Sequence, residues 1–163
     1  KTLSSPCFSA NSVSVEQHLF SDSVFVSKST TPFSLPLVDY LVDFDFLFFD
    51  LKSREMYFEN NQLANEGALT TMQYGKRGFS YNALDAVYNV ETNELCVESV
   101  FPISIKRFLI QPSDNSFCVL SNGRFPVLKN ATLIKNRRLF KDKLYNNKDV
   151  VIEPNLKFTI IND

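Results

Sequence analysis

The chain has 163 residues, 44% of them hydrophobic and 21% charged, which is long enough to bury a core and too apolar for disorder to be the default. Its formal net charge of −1 conceals a sorted distribution: residues 1–100 carry 13 acidic and 6 basic side chains, whereas residues 101–163 carry 5 and 11. Asp39, Asp43, Asp45 and Asp50 break the longest apolar run well short of a membrane span, so no membrane partner is expected.

Sixteen Phe and six Tyr with no Trp point to an aromatic core, and Phe favours a pleated surface over a helix interior. With only four Gly, tight turns must fall to Asn, Asp, Ser and Pro. Taken in order, residues 12–20 are a short helical candidate and residues 27–36, rich in Ser and Thr with Pro32 and Pro36, a loop. Residues 40–49 alternate strictly, with Tyr40, Val42, Phe44, Phe46 and Phe48 on one wholly apolar face, as a strand lying on a core requires. The polar run 50–55 then turns the chain back into Met56, Tyr57 and Phe58, making a hairpin. Residues 60–73 contain good helix formers but also Gly67, and residues 80–85 read as a helical turn before a strand from Ala86.

A second hairpin joins residues 86–91 to 94–101 across Thr92 and Asn93. Residues 103–110 continue as strand. Asn122 and Gly123 mark a third hairpin, between 117–120 and 125–128, because both positions accept positive φ. Residues 135–145 are a basic helix or loop, and residues 150–152 and 156–161 close the chain as strands. Many short strands at near-regular spacing predict one domain over 1–163, mainly β, an antiparallel sandwich or partly open barrel with one or two short helices. Its core should draw on Phe44, Phe46, Phe48, Val87, Val97, Val100, Ile105, Leu109, Leu120, Leu133 and Ile160.

Cys7, Cys96 and Cys118 are far apart and form no Cys-x-x-Cys pair, so neither a zinc site nor a disulfide framework is indicated. Free thiols in a reducing, cytoplasmic compartment are the expectation. A chain that begins at Lys1 is compatible with a trimmed terminus or a piece of a longer precursor, such as a viral polyprotein.

The sharpest charge feature lies between residues 124 and 148. There Arg124, Lys129, Lys135, Arg137, Arg138, Lys141, Lys143 and Lys148 are opposed only by Asp142. Lys and Arg replace phosphate counterions on a polyanion, and aromatic rings give unpaired bases a surface to stack on. Phe125, Phe140 and Tyr145 are interleaved with these cations. The expectation is a non-catalytic interaction domain whose basic C-terminal surface meets nucleic acid or another polyanion, with no cofactor. A solvated face balancing the acidic half accounts for the same charges, and an assembly module with a protein partner or a second copy is a further alternative. The RRM, KH and P-loop signatures are absent.

Two carboxylates, Asp43 and Asp45, share a strand face and have a spacing suited to a divalent metal. Asp39, Asp50 and Lys52, with Phe46, Leu47, Phe48 and Phe49 between the acids, form an arrangement that resembles the PD-(D/E)xK nucleases. That resemblance implies Asp39 and Asp50 as metal ligands, Lys52 assisting the attacking water, and His18 as an extra upstream ligand. A hairpin turn rich in Asp, Lys, Ser and Arg explains the same letters. Nucleophilic catalysis has only His18 to draw on, while Cys118 and Ser80 lack the flanking glycines of known nucleophile motifs. Gly75 to Gly78 reads either as an anion-binding nest or as a plain turn.

Overall fold

In the computed structural model, the described residues are 2–11, 14–18, 21–28, 31–61, 66–71, 79–119, 121, 125–135, 143–153 and 157–161, with His18 and Lys143 described by backbone alone. Every regular element among them is a strand. The first nine are β1 (Thr2–Ser5), β2 (Phe8–Asn11), β3 (Ser14–His18), β4 (Ser23–Ser27), β5 (Phe33–Leu35), β6 (Tyr40–Asp43), β7 (Phe46–Asp50), β8 (Glu55–Glu59) and β9 (Gly67–Thr71). The remainder are β10 (Phe79–Asn89), β11 (Glu94–Val100), β12 (Ile103–Ile105), β13 (Phe108–Gln111), β14 (Phe117–Val119), β15 (Leu128–Lys135), β16 (Lys143–Glu153) and β17 (Lys157–Ile160). They form two curled antiparallel sheets, each a half-barrel.

The larger sheet is organised around β10. One edge of β10 is shared: residues 79–83 pair with β9 and residues 86–89 pair with β8. Its other edge carries β11, which in turn pairs with β14. From β9 an arm runs through β6, β5 and β2 to β1, and from β8 a second arm runs through β7 and β4 to β3. The buried face changes parity along β10, from Phe79, Tyr81 and Ala83 to Ala86 and Tyr88. β11 makes the same change, from Leu95 and Val97 to Val100, across Ser99 at φ 53°. Side chains alternate with period two, so one irregular step turns all later residues over. The two arms meet over a shared aromatic core, where Phe33 of β5 lies 5.7 Å from Phe58 of β8, centroid to centroid, and Phe44 lies 6.4 Å from Phe58.

The smaller sheet has the order β12-β13-β15-β16-β17. It joins the larger one where the Phe101 amide donates to Asn82 O at 2.9 Å and the Gln111 side-chain amide donates to Val100 O at 3.0 Å. Buried residues of both sheets, from Phe8 to Ile152, belong to one hydrophobic cluster.

The β class holds, whereas the short helices do not form among the described residues. Residues 80–85 are strand, because Tyr81 and Ala83 belong to the buried row of β10 opposite Leu69 and Gly67. Part of each of the other helical candidates is also strand: 14–18 is β3, 67–71 is β9, and Lys135 and 143–145 lie in β15 and β16. The alternating run 40–49 breaks at Phe44 and Asp45, so Phe44 is buried while Phe48 is exposed. Residues 50–55 turn a hairpin as anticipated, and the second hairpin turns over 90–93, beginning two residues earlier than the Thr92–Asn93 turn expected. The third hairpin does not pair: β14 adds to β11, and β15 lies between β13 and β16 in the other sheet. Asp22, Asp39, Asn93 and Asn115 hold the positive φ angles expected of turns in a glycine-poor chain, and Arg54 and Lys106 join them.

Cys96 and Cys118 are disulfide-bonded, which corrects the expectation of free thiols; Cys7 alone is free among the described residues. The two residues are 22 apart in sequence but directly opposite each other in the β11–β14 register.

Candidate functional site

Four cations of the C-terminal half, Lys106, Arg107, Lys135 and Lys157, line one groove of the smaller sheet. A tight turn between β12 and β13 presents Lys106 and Arg107, both exposed. Phe108 follows and pairs with Lys135 of β15, whose Nζ lies 5.5 Å from the Phe108 ring centroid. Phe158 of β17 meets Phe108 edge to face, with centroids 4.8 Å apart at 73°. Both rings are half-buried, so each retains surface open to solvent.

These residues, with Ile105 and Lys157, line a groove of about 440 Å³; among the described residues that line it, four side chains are cationic and none is acidic. Lys106, Arg107 and Lys135 enter no ion pair among the described residues. Glu153 lies opposite Lys157 in the β16–β17 register, and its carboxylate accepts a hydrogen bond from Thr159. The groove can hold an anion beside an aromatic surface. Lys135 lines the groove with its Nζ over the Phe108 ring.

Of the eight basic residues singled out from the sequence, Lys135 lines this groove. Lys143 stands directly across from it in the β15–β16 register. Lys129 is exposed on β15, and Lys148 is half-buried opposite Ala131. Arg124, Arg137, Arg138 and Lys141 lie outside the described residues. Lys106, Arg107 and Lys157 were missed because they fall outside the dense run, at separate turns and strand ends. The signal that could have found them is Lys106-Arg107-Phe108, two cations beside an aromatic ring.

The acidic candidates are distributed differently. Asp39 sits at positive φ in the turn before β6, and Asp50 ends β7; β9, β10 and β8 stand between those strands in the sheet. The Asp50 carboxylate accepts the backbone amides of Lys52 at 2.8 Å and Ser53 at 3.2 Å, which hold its pKa below the ordinary value. Lys52 is exposed in that turn, and the side chain of His18 lies outside the described residues. Asp43 and Asp45 do line one groove, but Asp43 is ion-paired with Lys28 and Asp45 accepts the Asn61 amide at 2.9 Å. Residues 75–78 lie outside the described residues, and no helix among those described is long and apolar enough to cross a membrane.

No family model, curated protein or solved structure matches this chain.

Proposed function

We propose that this chain is a non-catalytic interaction domain that binds single-stranded nucleic acid through the groove between the β12–β13 turn and β17. The observation that carries this reading is the meeting of Phe108 and Phe158 in a groove whose described lining holds four cations and no carboxylate. Phosphates would meet Lys106, Arg107, Lys135 and Lys157, and a base would stack on the open ring surface. A duplex keeps its bases stacked internally and offers the rings nothing. The sequence between Lys135 and Lys143 adds Arg137, Arg138 and Lys141 to the same positive stretch.

The test is a filter-binding titration against single- and double-stranded RNA at two ionic strengths. Single-stranded RNA should bind more tightly, with affinity falling as salt rises. Replacing Lys106 and Arg107 with Ala should reduce the salt slope by about 0.7 for each cation removed. Phe158→Ala should cost about 1–3 kcal/mol through lost stacking. Affinity indifferent to salt and to all three substitutions would overturn the proposal. Equal binding of heparin, with no effect of Phe158→Ala, would replace nucleic acid with a base-free polyanion.

A further inference from the structure

We infer that reducing the Cys96–Cys118 bridge creates a site for a borderline-soft divalent cation of the Zn²⁺ type on the outer face of β11 and β14. Leu95 and Val97 point into the core, so period-two alternation sends Glu94, Cys96 and Glu98 outward along β11. Cys118 of β14 lies directly opposite Cys96. The ligand atoms of Glu94, Cys96 and Cys118 all lie within 4.8 Å of one another. Two thiolates and a carboxylate around tetrahedral Zn²⁺ stand about 3.5–4 Å apart, so the carboxylate is already close enough and the two sulfurs, once their bond is reduced, move apart to that spacing.

The surroundings favour a cation independently of the sulfurs. Cys96 lines a groove of about 520 Å³; among the described residues that line it, the charged ones are Glu55, Asp85, Glu94 and Glu98, and none is basic. This face has the opposite sign to the groove by β17, and the inference does not depend on nucleic-acid binding.

The chemistry balances as a two-electron reduction followed by proton exchange. A dithiol reductant gives two electrons and two protons and closes its own disulfide, while the Cys96–Cys118 bond becomes two thiols. Zn²⁺ then displaces both thiol protons to solvent, taking Glu94 as its third ligand and water as its fourth.

The intact chain, reduced with a phosphine in metal-free buffer, should be titrated with Co²⁺ as the spectroscopic probe. The expected result is one Co²⁺ per chain, a thiolate-to-cobalt charge-transfer band, displacement by Zn²⁺, and no band from the oxidised protein. Cys118→Ser should abolish the band, and Glu94→Gln, a surface change that spares the fold, should weaken binding by at least about tenfold. A reduced protein without the band would overturn the inference. So would a band unchanged by Cys118→Ser, or a Co²⁺ affinity unchanged by Glu94→Gln.

Discussion

Gly67 lacks a side chain where the Phe44 ring passes over the sheet. A Cβ built there would lie 2.2 Å from two carbons of that ring, and Phe44 is fully buried with no room to withdraw. Gly67→Ala should therefore destabilise the protein by about 1–3 kcal/mol in urea unfolding, the usual cost of overpacking a core. Two buried phenols set the alkaline limit. Burial, with the neighbouring Tyr40 adding to it, holds Tyr81 well above the ordinary phenol pKa; burial, with Cys7 adding to it, pushes Tyr88 up to about 12. A raised folded pKa means stability that is fully present below the unfolded value near 10 and lost as pH climbs through the folded one. Unfolding free energy should thus fall between about pH 10 and 12, and Tyr88→Phe should remove about 1.4 kcal/mol per pH unit of that slope. At this scale residue type was legible and facing was not: Phe44 and Phe48 share a run, yet one is buried and the other exposed.

The hairpins show how strands are turned with few glycines. Asp50 accepts the amides of Lys52 and Ser53, and Asn89 accepts those of Glu91 and Thr92, both at 3.0 Å. Each side chain stands in for the next peptide carbonyl and satisfies turn donors. Asp50→Asn keeps an acceptor oxygen and should leave the thermal midpoint nearly unchanged, whereas Asp50→Ala should lower it; calorimetry on both variants checks this. These turns were readable because their chemistry is local. The Asn122–Gly123 pair carries equally local chemistry, yet the strands on either side join different sheets. A turn signal says where the chain bends; it does not say which strand receives it.

Across the whole molecule, the disulfide connects β14 to the long β10–β11 ribbon and closes a loop of 22 residues. Loop-closure entropy assigns such a link about 3 kcal/mol. Replacing both Cys96 and Cys118 with Ala should lower unfolding free energy by that order, measured by urea titration against the oxidised wild type. The charge asymmetry between the halves also takes a spatial form. Glu55, Asp85, Glu94 and Glu98 line one groove of the larger sheet, while Lys106, Arg107, Lys135 and Lys157 line another on the smaller sheet. The Lys28–Asp43 and Arg54–Glu91 ion pairs both lie within the first hundred residues. Lys135 belongs to both the dense basic run and this groove, whereas Lys106, Arg107 and Lys157 lie outside the run.

The β class, the strands of the hairpins at residues 40–58 and 86–101 and the sorting of charge along the chain follow from the sequence itself, because aromatic content, period-two alternation and turn-forming side chains act over a few residues; β5, in the stretch expected to be loop, and β3 and β9, in helical candidates, do not. Which face of each strand is buried, the pairing of Cys96 with Cys118, and the meeting of Phe108 with Phe158 were decided by tertiary structure. An irregular step such as that at Ser99 turns over every later side chain, and strands distant in sequence find each other only when the sheets curl closed.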